Sequence, residues 1–270
     1  MAGAILFACG GAAKHVLEQG SGIIGMPVES LDLDGSNTVP LIRGDLPDRH
    51  LEQSAAYALA YDSRQEIKSI MTGRRIVFAF AMLGGGTATG VLPILSQCAH
   101  DVGCEFVTIL GLPFESGRRE MSMEYLNEAV SVSDRAFLAD TVSLTRLYPD
   151  MVMHRAMNMM ATSLQFAMNA LATLADGPFF STFTRKVYTI AYTSALYPSD
   201  AVARAAEASM FDVDPSYGKS VVMVSSGFGS AQIESIFNTV ASMTGIIPDI
   251  VKRDDFEDTK VLTFIPVQGL

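Results

Sequence analysis

Charge is scarce in this chain, tryptophan is absent, and no apolar run reaches membrane-spanning length. Only 18% of its 270 residues are charged against 49% hydrophobic, so a disordered polymer is excluded and a large buried core is expected. The formal net charge of -10 excludes nonspecific nucleic-acid binding, which needs a basic surface, but allows one bound nucleotide. Cysteine is nearly missing. Cys9, Cys98 and Cys104 form an odd, scattered set without a CxxC pair, which excludes a disulfide framework and a zinc site and leaves small buried hydrophobes. The opening MAGAILFACGGAAKH is too short for a secretion leader with charged flank and cleavage site, so a cytoplasmic protein is expected. There is no internal repeat and no low-complexity segment.

What the chain does have is glycine in the right places. The stretch 74–91, RRIVFAFAMLGGGTATGV, carries an apolar run from Ile76 to Leu83 that reads as a buried strand of a parallel sheet. It runs into Gly84, Gly85, Gly86 and Gly90, with Thr87 and Thr89 between them, and a helix is expected from Val91 to Val102, with Pro93 near its first turn. Strand, Gly/Thr loop and helix N-terminus together make a cradle for a phosphate, because unpaired amides and the positive helix end both favour an anion. No Lys-Ser/Thr pair follows, so the loop is not a Walker A box, and it is not a GxGxxG fingerprint. From the residues alone, a generic glycine turn of an α/β protein stands beside the phosphate reading. A second unit of the same kind lies at the start, where the strand Ala4 to Cys9 enters Gly10, Gly11, Ala12, Ala13 and Lys14 before a short helix HVLEQ. A nicotinamide-dependent oxidoreductase built on these two loops is set aside, since no acidic residue follows the first at the spacing that holds a ribose.

Around these units the chain alternates. A flexible turn spans Gly20 to Gly25, and MPVESLDLDG reads as a strand ending in Asp32 and Asp34. Leu51 to Met71 reads as one amphipathic helix stopped by Gly73, Glu105 to Leu112 as a buried strand, and Glu120 to about Val132 as a helix. Met151 to Ala175 is nearly all apolar or small, so a long helix buried on most sides between two layers is expected, stopped by Asp176-Gly177. From Val187 the strands VYTIAYTSAL, KSVVMVSSGFG and KVLTFIPVQGL alternate with the helices DAVARAAEASMF and SAQIESIFNTVASMTG.

GGGTATG, Gly84 to Gly90, resembles the tubulin and FtsZ signature GGGTG[TS]G, with Ala88 at the middle glycine. The resemblance extends over nearly the whole chain in order. It implies an FtsZ/tubulin-like α/β fold: a Rossmann-like parallel-sheet nucleotide domain (1–150), a central connecting helix (151–177) and a smaller α+β second domain (178–270). It implies GTP or GDP, with magnesium, at a site built from Gly10, Gly11, Gly84, Gly85, Gly86, Thr87, Thr89 and Gly90. It adds Glu115 with Arg118 or Arg119, from PFESGRRE, for ribose and phosphate. Lys14 stands where the family has an asparagine and is open to two readings, a phosphate partner or a solvated lysine. Asp34 is open to metal coordination or a plain turn. Asn158, one turn before Ala161 where the family has its guanine-reading Asp, either meets a base edge or is satisfied by a neighbour.

Other positions depart from the pattern. The γ-phosphate loop is replaced by TVPLIRGDLPDRHLEQS, the expected guanine contact becomes Ala139 beside Asp140, and the acidic GxxNxDxxD loop becomes PFFSTFTRK, with Phe180, Thr182 and Arg185 at its polar positions. No catalytic residue is therefore assigned, and hydrolysis is expected to be weak or absent. Phe179, Phe180 and Phe183 read as an exposed interface anchor or as packing under the second domain. By the resemblance the chain ends without the linker and terminal peptide that recruit membrane adaptors. Its expected partners are a second copy, head to tail, or another tubulin-like protein. Two functions remain open: a nucleotide-binding, filament-forming protein, and a scaffold that has lost nucleotide.

Overall fold

The computed structural model describes residues 3–19, 25–32, 39–40, 52–113, 116–140, 149–194, 218–254 and 260–267. Its strands are β1 (Ala4–Cys9), β2 (Val28–Asp32), β3 (Val39–Pro40), β4 (Ile76–Met82), β5 (Glu105–Leu112), β6 (Arg135–Asp140), β7 (Val187–Ser194), β8 (Val221–Ser225), β9 (Asp249–Arg253) and β10 (Lys260–Pro266). The helices are α1 (Gly11–Gln19), α2 (Gln53–Asp62), α3 (Arg64–Met71), α4 (Gly86–Asp101), α5 (Ser116–Ser131), α6 (Met153–Ala175), α7 (Phe179–Thr182) and α8 (Ser230–Thr244). One sheet takes all ten strands in the order β3-β2-β1-β4-β5-β6-β7-β10-β8-β9. It is parallel from β3 to β7, while β10 is antiparallel to both of its neighbours, and β8 and β9 are parallel. None of the described helices is long and apolar enough to cross a membrane.

The period-2 geometry of a strand divides the core. On β4, Ile76, Phe78 and Phe80 face α6, joined there by Leu6, Val107, Ile109 and Phe137. Val77, Ala79 and Ala81 face the opposite layer, where α4 brings Val91, Leu92 and Leu95. The apolar, near-continuous strand sequences follow from burial on both faces. Helix α6 is buried along Ala161, Leu164, Ala167, Met168, Ala170, Leu171 and Ala175, and small residues let it lie close on the sheet. Its N-terminal half is open to solvent at His154, Arg155, Met157 and Asn158, so the expected burial on most sides holds only for the second half.

Polar residues tie α6 to α1 and to the chain that follows it. Gln165 donates to the carbonyls of Val16 and Leu17 at 3.3 and 2.7 Å, and the Gly25 amide donates to Asn169 Oδ1 at 2.8 Å. At its C-terminus, Arg75 Nη2 donates to the Ala175 carbonyl and, at 2.8 Å, to that of Gly177. A cation on the last carbonyls offsets the negative helix end.

Several expected boundaries are corrected. The single helix over 51–71 is two helices that meet at Ser63 (φ -88, ψ 4). The break is stabilised locally: Arg64 Nη1 donates to the Tyr61 carbonyl at 2.8 Å and the guanidinium lies 4.1 Å from the Tyr61 ring centroid, so the carbonyl released by the break is satisfied. α1, α4 and α5 each start earlier than expected, at Gly11, Gly86 and Ser116, because glycine and hydroxyl residues, poor inside a helix, are tolerated in its first turn. Pro93 consequently lies well inside α4 rather than in its first turn, and the Thr89 carbonyl has no N–H four residues on. β9, short and polar, was not anticipated and forms an edge of the sheet. The exposed reading of the phenylalanines is overturned for two of the three. Phe179 and Phe183 are 1% and 0% exposed, packed around Phe137 with Tyr188 and Phe264 at centroid distances of 4.9 to 6.1 Å. The expected turn at 20–25 (described only at Gly25), Asp34, most of the replaced third loop, and the helix DAVARAAEASMF lie outside the described residues.

Gly90 shows what positions α4. A Cβ built there would meet the Gln53 carbonyl oxygen at 2.3 Å and the Tyr57 amide nitrogen at 2.9 Å, both backbone atoms of α2. Backbone cannot give way as a flexible side chain can. Gly90→Ala should therefore cost about 3 kcal/mol of overpacking against about 1 kcal/mol gained in helix propensity. The expected outcome in urea unfolding is a net loss of about 2 kcal/mol; a variant as stable as the parent would contradict the close contact.

Candidate functional site

β1 and β4 pair in parallel from Ala4↔Ile76 to Cys9↔Ala81, so the turns that follow them emerge side by side at one edge of the sheet. The first is Gly10, with φ +82, a backbone state that side chains disfavour. Its amide is used, donating to the Leu31 carbonyl at 2.8 Å, and its carbonyl accepts the first helical bond, from Lys14 N at 3.2 Å. The second turn is Leu83, Gly84 and Gly85, with Gly84 at φ +91. The Gly85 carbonyl accepts the first bond of α4, from Thr89 N at 3.4 Å.

Both helices therefore begin with amides that have no intrahelical acceptor: Gly11, Ala12 and Ala13 in α1, and Gly86, Thr87 and Ala88 in α4. Neither first turn contains an acid, and Gly85 as N-cap offers no side-chain oxygen. Neither helix therefore supplies negative charge to its own positive end. The two turns also touch. A Cβ at Gly10 would be 3.4 Å from Thr87 Cβ and 3.7 Å from the Ala88 nitrogen, so the cradle is shared between the units. A Cβ at Gly85 would meet nothing within 4 Å, which marks the open side. Together, two sets of amides and the Thr87 hydroxyl can hold an anion of the size of a phosphate.

The structure divides the site residues expected from the sequence. It brings Gly10, Gly11, Gly84, Gly85, Gly86 and Thr87 to this edge. Thr89 is 4% exposed and its hydroxyl donates to the Gly85 and Gly86 carbonyls at 3.1 and 3.2 Å, so it braces the turn from beneath. Gly90 faces α2. The glycine turn is thus shorter than expected, Leu83 to Gly85, and the rest of GGGTATG lies in the first turns of α4.

Asn158 is exposed near the start of α6, its Nδ2 3.2 Å from His154 Nε2, which fits the reading of a neighbour-satisfied side chain. α6 runs from the glycine edge to the opposite one, where Arg75, preceding β4, takes its last carbonyls. Asn158 lies toward the glycine edge. Ala161 and Ala139 are 0% and 8% exposed and present no polar atom beyond backbone. Arg118 sits in the first turn of α5, after β5 at the same edge; Glu115 and Asp34 lie outside the described residues.

No three His, Cys, Asp or Glu side chains gather as a metal site among the described residues. Cys9, next to the cradle, is fully buried; burial pushes its thiol far up, so it offers no thiolate. The reading from sequence missed Gln165 and Asn169, one helical turn apart on an apolar helix, a spacing that would have marked them as α6's anchors.

No family model matches the chain. A stretch of 122 residues, 44% of this chain, is 30% identical to cell division protein FtsZ 1 of Pyrococcus horikoshii, and 125 residues are 27% identical to that of Archaeoglobus fulgidus. The matched region spans 33% of the length of each of these relatives. Among solved structures, the empty FtsZ dimer of M. jannaschii superimposes with a TM-score of 0.77 at 21% identity, over 99% of this chain and 89% of that one. CetZ from Methanosaeta thermophila gives 0.74 at 16% identity, over 100% and 88%. The chain has the fold of the tubulin/FtsZ superfamily.

Gly85 separates stability from binding, since its φ of -124 and open surroundings accept a side chain. Gly85→Asp should cap α4 and leave the melting temperature unchanged or raised. Its carboxylate would occupy the anion's place, and affinity for pyrophosphate should fall at least about tenfold, on the order of 1.4 kcal/mol. Unchanged affinity, read by calorimetry, would mean that anions do not bind here.

Proposed function

We propose that this chain, with its tubulin/FtsZ-superfamily fold, binds GTP or a related purine nucleotide with its phosphates between the amides of Gly11–Ala13 and Gly86–Ala88. The observation that carries this reading is the pair of helix N-termini, neither with an acid in its first turn, meeting at Gly10 and Thr87. Similarity to the FtsZ proteins supports the choice of nucleotide. The residues present fit phosphate. For magnesium they supply no carboxylate cluster among the described residues, so a metal would be held mainly by the phosphates, with Asp34 as the nearest sequence candidate.

Base selection is the weaker half. Where the resemblance expects an Asn and an Asp, Ala139 and Ala161 stand buried, and Asn158 is the remaining polar candidate along α6. We therefore read guanine selectivity as reduced. Calorimetric titration with GTP, GDP and ATP should give dissociation constants on the order of micromolar to millimolar, with GTP favoured over ATP by less than about 100-fold. No heat with any of the three at millimolar concentration would remove the proposal.

Self-association head to tail is the proposed assembly, supported by the FtsZ dimer among the similar structures. Hydrolysis is proposed to be slow. Positioning a water for phosphoryl transfer needs a polar group, and 178–186, PFFSTFTRK, carries no carboxylate, with Phe179 and Phe183 turned into the core. The same burial favours a second reading, a scaffold on this fold without turnover. The proposed division into 1–150, 151–177 and 178–270 belongs to the same resemblance. Incubation with GTP, followed by pelleting and phosphate assay, should give polymer with little phosphate. Monomer with and without nucleotide would favour the scaffold, and turnover at the rate of a working GTPase, unaffected by Asp176→Asn, would contradict slow hydrolysis.

A further inference from the structure

A cavity of about 290 Å³ lies at the opposite edge of the sheet from the glycine turns, where β4 and β5 begin and α6 ends. Arg75, Glu105, Pro178, Phe179, Phe180 and Ser181 line it. Its volume suits a small ligand, and its walls are mixed in a definite way. One wall is aromatic. Phe179 is anchored in the core against Phe78 and Phe137, and Phe180 stands half-buried beside it at a centroid distance of 5.2 Å. Arg135 holds the Phe180 ring from the protein side, its guanidinium carbon 4.9 Å from the centroid and its Nε donating to the Phe183 carbonyl at 2.8 Å.

The facing wall is charged. Arg75 commits Nη2 to the Ala175 and Gly177 carbonyls, while its Nε and Nη1 donate to no described residue. This is an exposed cation fixed at one end by the helix it caps, with donors remaining. Beside it stands Glu105, whose pKa is raised above the ordinary carboxylate value by partial burial and then by the charge of Asp134; Arg135 and His100 act in the other direction. The negative end of α6 is already offset by Arg75.

We infer that this cavity binds a small organic carboxylate, the apolar body on the half-buried Phe180 ring and the carboxylate on the Arg75 guanidinium. A single negative charge matches Arg75, the cation that lines the cavity; a dianion such as phosphate would meet Glu105 and the carbonyl end of α6 and would lack a body for the aromatic wall. The site is independent of the nucleotide reading, since it uses none of the glycine turns.

The test uses the full chain and phenylacetate as probe, followed through the amide resonances of Gly177, Phe179, Phe180 and Ser181. Saturable shifts with a dissociation constant on the order of millimolar are expected for a ligand of about ten non-hydrogen atoms. 2-Phenylethanol, the neutral analogue, and inorganic phosphate should each bind at least tenfold more weakly. Arg75→Gln should weaken phenylacetate at least tenfold. Because Arg75 also caps α6, Ser181→Trp, which fills the cavity from the other side and leaves Arg75 in place, should abolish the shifts in a folded chain. Absence of saturable shifts, shifts centred on Gly84–Gly86 instead, equal binding of the neutral analogue, or undiminished binding in Ser181→Trp would each overturn the inference.

Discussion

The parallel register of β1 on β4 is the constraint on which the rest depends. Because Cys9 pairs with Ala81, the two chain turns that follow leave the sheet at the same height, and the helices they start point their amides into one space. A slip of one residue would turn every side chain of β4 to the other face, setting Phe78 and Phe80 against α4 and the alanines against α6. The alternation of large and small residues on IVFAFAM forbids that slip, so the packing of the core also fixes the anion cradle.

The cradle is held from behind as well as from the sides. α4 cannot rotate without driving Gly90 into the backbone of α2, and Thr89 binds the carbonyls of Gly85 and Gly86 from within. α1 is tied to α6 by Gln165, which donates to carbonyls in the last turn of α1. Amides so restrained need little reordering when an anion arrives, which is the condition for a modest number of hydrogen bonds to yield useful affinity.

Much of this was legible in the sequence, for physical reasons that also mark the limit. The apolar runs AILFAC and IVFAFAM are too short for helices and too uniform for exposed strands, so both strands and the parallel sheet could be read directly. The glycine turns were equally visible. What could not be read was where the turn ends, since Gly86 to Gly90 look like loop by propensity, yet a helix N-terminus tolerates them and long-range packing against α2 demands one. The break at Ser63 depends on an arginine returning to the carbonyl three residues back, a contact with no periodic signature. The phenylalanines of PFFSTFT could be surface or core by composition alone, and their burial follows from Phe137, more than forty residues earlier in the chain. The positions named by the resemblance divided the same way: Gly10 and Gly84 to Thr87 lie together at the edge, while Thr89 bonds the carbonyls of Gly85 and Gly86 and Gly90 faces α2.

For a chain of formal charge -10 to hold an anion as proposed, it must do so by local means. Its overall field repels a phosphate at long range, although salt screens that repulsion beyond about 8 Å in physiological conditions. In a parallel sheet every strand-to-helix turn lies at one edge, so positive helix ends accumulate there and carbonyl ends at the other. The side chains answer this polarity. Neither α1 nor α4 has an acid in its first turn, whereas Arg75 takes the last carbonyls of α6 and His100 in the last turn of α4 sits 3.0 Å from Asp134. Leaving the amide edge unneutralised costs some helix stability, about 0.3 to 1 kcal/mol for each missing acid. That cost falls on both turns that meet at Gly10 and Thr87, and an anion bound between them, as proposed, would offset it.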